Sequence, residues 1–353
     1  MAIEVGDIKV YHGPAAHGGP DDLLAPILGF IARAKKRQNL MIAIQEIDHP
    51  AIAEAIIAAR LRGVTIDLVM EQSYLLAARK PKSVEDTRAP GGKHEINRQL
   101  FNAILRSTTD VKVDFNPAIF HQKFMVLGDA VLTGSTNFTT TGVTKNLNHV
   151  VIIEDKGIAN AYKREFRDIR EGRFGKFSLG HGRKPIEDDV SGIRVKPLFA
   201  PDHGPEMEIM KQILKARRRV DFASFTFAQS SGIDDALIAA HRNGIKVRGV
   251  LDRRQANQRW AAKVPLQQAG IDIRIAGGTG QLGKVHHKLM VIDDEVTIFG
   301  SFNYTRPANK SNDENIIVVG DAEETRAASR AGQAEIARAS RAEIDRIIDT
   351  FAD

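Results

Sequence analysis

His286-His287-Lys288-Leu289-Met290-Val291-Ile292-Asp293, followed by Gly300-Ser301-Phe302-Asn303, has a partner earlier in the chain. The partner is His121-Gln122-Lys123-Phe124-Met125-Val126-Leu127, followed by Gly134-Ser135-Thr136-Asn137. In both stretches one residue separates His from Lys, so on a strand the two side chains leave the same face. The apolar run after each Lys reads as a buried strand ending in an acidic turn, and a second strand leads to Gly-Ser-x-Asn. Each hairpin offers an imidazole, an ammonium, a hydroxyl and an amide. Two such sets can surround one phosphate.

The segments ahead of the two hairpins also match. In the first half Leu40 to Ile44 reads as a strand, Pro50 opens a helix that stops at Gly63, and Val64 to Met70 is the next strand. In the second half the strand is Val220 to Phe227, the helix stops at Gly244, and Ile245 to Leu251 follows. Ile56-Ile57-Ala58-Ala59-Arg60-Leu61-Arg62-Gly63-Val64 and Leu237-Ile238-Ala239-Ala240-His241-Arg242-Asn243-Gly244-Ile245 share one register. Each is a β-α-β unit with parallel strands, so the chain is a whole-domain duplication. Residues 3–11 read as one strand. Helices are expected from Asp21-Asp22 to Lys35-Lys36-Arg37 and from Glu206 to Arg217. A further helix over Ile158 to Arg170 precedes a seam in the Gly- and basic-rich stretch Gly172 to Gly192. The expected domains are 1–175 and 193–353, with 176–192 as linker. Between strand 64–70 and His121 the first half carries a basic insertion (Arg79-Lys80-Pro81-Lys82, Pro90-Gly91-Gly92-Lys93), read as a solvated loop or a flap over a substrate channel. Ala322 to Phe351 reads as a polar helix with a thin apolar seam that packs on the second domain or on another subunit.

The 353 residues are 42% hydrophobic and 27% charged, an ordinary globular balance with ample length for a core. No apolar run reaches membrane-span length, and Met1 to Asp7 lacks the basic and apolar regions of a leader, so a cytoplasmic protein is the expectation. The absence of cysteine excludes disulfides and Cys-ligated zinc or iron–sulfur sites. A formal charge of +6 and a pI near 9.4 favour polyanionic partners, nucleic acid or anionic headgroups.

Displacement at a phosphodiester needs an attacking group, a proton for the departing oxygen and donors for the non-bridging oxygens. A neutral imidazole can attack phosphorus while a protonated one serves as acid. Lys123 and Lys288 would neutralise the phosphate, and Asn137, Asn303, Ser135 and Ser301 would donate to it. With two lysines in place and no carboxylate cluster, no metal or other cofactor is expected.

His286-x-Lys288-x4-Asp293 with Gly300-Ser301-x-Asn303 resembles the HKD signature of the phospholipase D superfamily, and the resemblance covers essentially the whole chain. The second half, from Phe225-Thr226-Phe227 through Asn312-Asp313-Glu314-Asn315, is most similar to the small bacterial Nuc-type endonucleases, which work as dimers of a single-motif chain. The resemblance implies a bilobal α/β/α sandwich of two mixed sheets about a pseudo-twofold axis. It implies one active site at the seam, for which a monomer suffices, and a phosphohistidine intermediate. In the superfamily a polar residue after each Gly-Ser-x-Asn reaches across the dyad and orients the opposite histidine. Glu314 would then hold His121 and Asn148 would hold His286, making His121 the nucleophile and His286 the general acid. Asp293 would support local architecture. In the first motif its position falls in a turn shortened to Gly128-Asp129, so the first aspartate is absent or displaced.

The leading expectation for substrate is nucleic acid, carried by the charge, the basic insertion and the second-half resemblance. The alternative is a phospholipid headgroup hydrolase or transferase. A third reading is a degenerate member that binds nucleic acid or lipid without turnover. His149 and His287 neighbour motif residues but alternation points them elsewhere; His12, His17, His181 and His203 read as loop residues. Arg253 and Arg254, after a parallel strand, are candidate phosphate contacts. Gly277-Gly278-Thr279-Gly280 reads as a turn.

Overall fold

The computed structural model describes residues 2–76, 83–85, 91–179, 184–278, 280 and 282–353. Arg79 to Lys82 and Pro90 of the basic insertion lie outside the described residues, as do His181 and Thr279.

The duplication is visible strand for strand. The first sheet comprises β1 (Ile3–Val5), β2 (Ile8–Gly13), β3 (Asn39–Ile44), β4 (Thr65–Met70), β5 (Asp110–Val113), β6 (Lys123–Leu127), β7 (Ala130–Gly134) and β8 (Asn148–Glu154). The second comprises β9 (Asp188–Val190), β10 (Ile193–Ala200), β11 (Arg219–Ser224), β12 (Lys246–Asp252), β13 (Asp272–Ala276), β14 (Lys288–Ile292), β15 (Val296–Gly300) and β16 (Glu314–Val319). Their orders, β1-β2-β8-β7-β6-β3-β4-β5 and β9-β10-β16-β15-β14-β11-β12-β13, are the same path twice. Both sheets are mixed: β3-β4-β5 and β11-β12-β13 are parallel, and the remaining pairs are antiparallel.

Strand alternation sorts the apolar side chains into three clusters. Met290 and Ile292 of β14 face outward with Phe222, under Ile209, Ile213 and Leu237 of the helices Pro205–Leu214 and Ile233–Arg242. Leu40 and Ile42 of β3 face outward under Ile27 and Phe30 of the helix Leu24–Ala32, with Ile52 and Ile56 of the helix Pro50–Leu61. Leu289 and Val291 face inward, joining Val126, Val151 and Ile317 in one cluster shared by the two sheets. The helix Lys156–Arg170 contributes Phe166 and Ile169 to it, and the helix Ala327–Phe351 contributes Ile336, Ile344 and Ile347. Burying each such side chain is worth about 1.5–3 kcal/mol. The halves are therefore welded along their inner faces.

Several elements differ in extent from expectation. Residues 3–11 form a hairpin, because Gly6 at φ +55° turns the chain between β1 and β2. The first helix stops at Ala32, and Arg37 at φ +69° donates its N–H to the Gly63 carbonyl instead of continuing it. The helix from Pro205 stops at Leu214, since the N–H groups of Arg217, Arg218 and Arg219 all donate to the Asp293 carboxylate. Strand β9 lies inside 176–192 and pairs with β10. The C-terminal helix packs on the second sheet and also on β1 and β2 of the first.

Candidate active site

The two motifs meet because each approach to a motif histidine pairs with the opposite half. Phe120 bridges Asp313, and the His121 N–H donates to the Asp313 carbonyl at 2.9 Å. In mirror fashion Leu147 bridges Val285, and the His286 N–H donates to the Leu147 carbonyl at 2.9 Å. These short ladders place the first residues of β16 and β8 behind the opposite imidazoles. His121 Nδ1 lies 2.7 Å from Glu314 Oε2, and His286 Nδ1 lies 2.8 Å from Asn148 Oδ1. Asn148 Nδ2 donates to the Gly142 carbonyl at 2.9 Å, which fixes Oδ1 as the acceptor and puts the His286 proton on Nδ1. In both rings Nε2 is left for chemistry.

Lys123 and Lys288 are buried to 1% exposure. Lys123 Nζ donates to the His121 carbonyl (2.9 Å) and Gln45 Oε1 (3.1 Å). Lys288 Nζ donates to the His286 carbonyl (2.8 Å) and lies 3.2 Å from His286 Nε2. Burial brings the Lys123 ammonium down to about 7 against the pull of Glu314 and Glu46, and burial, with help from Lys123, also lowers Lys288. Burial, then the two lysines, also lowers both imidazoles. Burial raises the Glu314 carboxyl, while Lys123, Ser301 and Lys288 favour its charged form. The site thus gathers four basic groups whose charged forms burial disfavours. A phosphodiester anion would favour those charged forms.

The serines differ from expectation. Ser135 Oγ donates to Asn148 Oδ1 (2.8 Å) and Ser301 Oγ to Glu314 Oε2 (2.7 Å), and both are fully buried. Each hydroxyl gives its proton to the group that orients a histidine, not to the space between the imidazoles. Asn137 and Asn303 are half-buried, and their Oδ1 atoms are buried without a partner. The glycine before each serine is obligatory: at φ +145° and +147°, a Cβ on Gly134 or Gly300 would sit 2.3 or 2.2 Å from a β8 or β16 carbonyl oxygen.

Asp293, at φ +57° and 1% exposure, accepts from the three arginine N–H groups at 2.6 to 2.8 Å. It knits β14 to the start of β11 and does not reach the imidazoles. In the first half Asp129 is an exposed turn residue 3.6 Å from Lys163. The aspartate is displaced there, and its bracing role with it.

Beyond the unequal supports Glu314 and Asn148, sequence reasoning missed a second inequality between the two sides of the site. By strand register Gln45 and Glu46 of the first half correspond to Phe225 and Thr226 of the second, since β3 pairs Ile44 with Lys123 and β11 pairs Ser224 with Lys288. Phe225 packs on His286 (ring centroids 4.8 Å), with Lys284 and Lys288 each 5.2 Å from its centroid. Arg253, in contrast, is spent on Asp353 at 2.6 Å.

His12 is a correction. It lies on β2, fully buried, 3.1 Å from Ser340 Oγ, because the inner faces of both sheets converge there. His149 and His287, which alternation turns away from the phosphate, stack beside it with Nδ1 atoms 3.1 Å apart. The Gly300 N–H donates to His149 Nε2 (3.1 Å), so His149 carries its proton on Nδ1 and donates to His287. His287 Nε2 then donates to Glu343 (3.3 Å), which Arg346 grips with two bonds of 2.8 Å. The other half places the uncharged pair Asn315 and Gln122 here, 2.7 Å apart.

The family described as "Cardiolipin synthase, PLD-like domain" matches residues 27–170 and 209–333. The chain belongs to this phospholipase D-like family, within a superfamily of phosphodiesterases. It is 37% identical over 133 residues to a Rickettsia prowazekii protein named phospholipase D, covering 38% of this chain and 63% of that one. The Rickettsia bellii protein of the same name is 36% identical over 163 residues, covering 45% and 79%. The match thus spans just under two thirds of the length of the R. prowazekii relative. The crystal structure of phosphatidylserine synthase from Haemophilus influenzae shares the fold, with a TM-score of 0.69 at 13% identity over 99% of this chain and 88% of that one.

Proposed function

We propose that this chain is a metal-independent phosphodiesterase that cleaves nucleic acid through a phosphohistidine on His121. The observation that carries the reading is the crossed pairing of His121 with Glu314 and of His286 with Asn148. A carboxylate stabilises the positive charge that develops on an attacking imidazole, and an amide orients an imidazole without trapping its proton. The His121 Nε2 lone pair forms the P–N bond as the P–O bond to the leaving alcohol breaks, and His286, which the bound phosphate anion brings to the imidazolium with a proton on Nε2 as well as Nδ1, gives the Nε2 proton to that oxygen. Water then attacks phosphorus, gives its proton to His286, and the P–N bond breaks. Lys123 and Lys288 supply the charge that a cation would otherwise bring to the non-bridging oxygens. Asn137 and Asn303 supply amide groups from the two sides.

Support for nucleic acid comes from the formal charge of +6 and from three lysines, 123, 284 and 288, whose charge reaches His121. One observation favours phospholipid headgroups instead. Leu76, Phe115 and Phe177 are 53%, 63% and 59% exposed, the first two on segments that leave the C-terminal ends of β4 and β5. Apolar side chains at that sheet edge suit a lipid interface. The deciding test is turnover in excess EDTA, with labelled single-stranded DNA in one tube and phosphatidylcholine vesicles in the other. DNA cleavage abolished by His286→Ala supports the nuclease, choline release alone supports the lipid enzyme, and salt-sensitive DNA binding without cleavage identifies a non-catalytic binder.

A further inference from the structure

We propose that Glu46 forms a subsite beside the phosphate that accepts a hydrogen bond from an N–H or O–H of the nucleoside on one side of the scissile bond. The inference rests on the phosphodiesterase reading above and adds to it the chemistry of an ester arm.

The two sides of the site are built from equivalent backbone positions but carry opposite chemistry. On the first half the residues after β3 are Gln45 and Glu46. Gln45 bridges Lys123 Nζ (3.1 Å) and the Tyr74 hydroxyl (2.8 Å). Glu46 Oε1 accepts from Asn137 Nδ2 at 2.9 Å. On the second half the same positions hold Phe225, packed on His286, and Thr226, whose hydroxyl is 3.3 Å from Gln255. Phosphate has local symmetry and these walls do not. A substrate seated here therefore enters with its two arms distinguished.

A carboxylate next to a phosphate pocket repels the ligand unless something compensates. Glu46 feels Lys123 of its own half and Lys284 of the other, while Asp48 opposes ionisation and Tyr74 stands in its field. Burial, then Asp48, brings its carboxyl up to about 7. The group is therefore neutral or charged at little cost, and a substrate donor would favour the charged, accepting form. Threonine on the opposite wall performs no such selection. The ligand class follows: an arm with a hydrogen-bond donor within reach of the phosphate, as a nucleoside offers through its base N–H or sugar hydroxyl.

The test compares thymidylyl-thymidine, with donors on both arms, against bis(4-nitrophenyl) phosphate, with none, for wild type and Glu46→Gln at equal thermal stability. A hydrogen bond to a charged group is worth about 1.5–3 kcal/mol, so the ratio of kcat/KM for dinucleotide over donor-free diester should fall about 10- to 100-fold in the variant. In wild type, turnover of the donor-free diester relative to the dinucleotide should fall as pH rises from 6 to 8, because the ionised carboxylate then repels it, and Glu46→Gln should flatten that dependence. Equal change on both substrates, or no change, overturns the subsite. A loss seen with phosphatidylglycerol vesicles and not with the dinucleotide overturns the nucleoside assignment. Wild type inactive on both diesters would instead defeat the phosphodiesterase reading itself.

Discussion

Glu314, the first residue of β16, holds His121 of the other half at 2.7 Å, whereas the equivalent position behind His286 is occupied by Asn148 at 2.8 Å. One duplicated framework thus presents two imidazoles with different supports. Replacing Glu314 by Gln keeps the shape and removes the charge. The expected result is a fall in kcat of about 10²- to 10⁴-fold with little change in KM, by the precedent of carboxylates behind catalytic imidazoles. Asn148→Asp, giving His286 a charged support, should raise the pH at which the general acid loses its proton, displacing the alkaline limb of the rate profile upward. Steady-state kinetics across pH checks both.

Phosphate binding should take up protons. Burial brings Lys123 down to about 7, so above that pH much of it is neutral. An anion restores the charged form, so at pH 8 binding of inorganic phosphate or vanadate should draw in about one proton, falling off below pH 7 where the ammonium is already present. Calorimetry in buffers of different ionisation enthalpy measures the uptake, and Lys123→Gln should diminish it.

Asp293 and Asp129 should separate cleanly in stability. Asp293→Ala strands three part-buried N–H groups, and a loss of about 2–4 kcal/mol is expected from urea denaturation. Asp129→Ala, at an exposed turn, should leave the denaturation midpoint unchanged.

The histidine stack makes a further prediction. Burial works against the Glu343 carboxylate, yet Arg346 and His287 hold it down to about 2. Its folded value lies below the unfolded one, so its contribution is present above about 4.5 and is lost as pH falls through about 2. Glu343→Leu leaves Arg346 Nε and Nη2 and the His287 N–H without their acceptor, with only Arg346 Nη1 keeping the His17 carbonyl, and should cost about 3–5 kcal/mol at neutral pH. The double variant His149→Asn with His287→Gln, copying Asn315 and Gln122, should be tolerated better.

The residues named from the sequence lie where a repeated pattern forces them. His-x-Lys on a strand, Gly-Ser-x-Asn after the next one, and a duplicated β-α-β lead-in predict both sheets, and the resemblance to the superfamily implies the crossed partners Glu314 and Asn148. Positions set by tertiary convergence were not legible. His12 reads as a loop residue because nothing local shows that β2 will face β15 and the C-terminal helix. Gln45 and Glu46 carry no motif; their equivalence to Phe225 and Thr226 shows only once the strand registers align Ile44 with Ser224. The hydroxyls of Ser135 and Ser301 reverse their expected partner because burial sends them to the nearest strong acceptor, a carboxylate or amide already fixed behind an imidazole.

The most direct measurement is rapid-quench trapping of the intermediate. Enzyme is mixed in EDTA with a labelled oligonucleotide, stopped under alkaline conditions that preserve phosphohistidine, and the modified peptide is identified by mass spectrometry. The account predicts a nucleotidyl adduct on His121 that is absent in His121→Ala. An adduct on His286, or cleavage that requires added divalent metal and leaves no adduct, would contradict it.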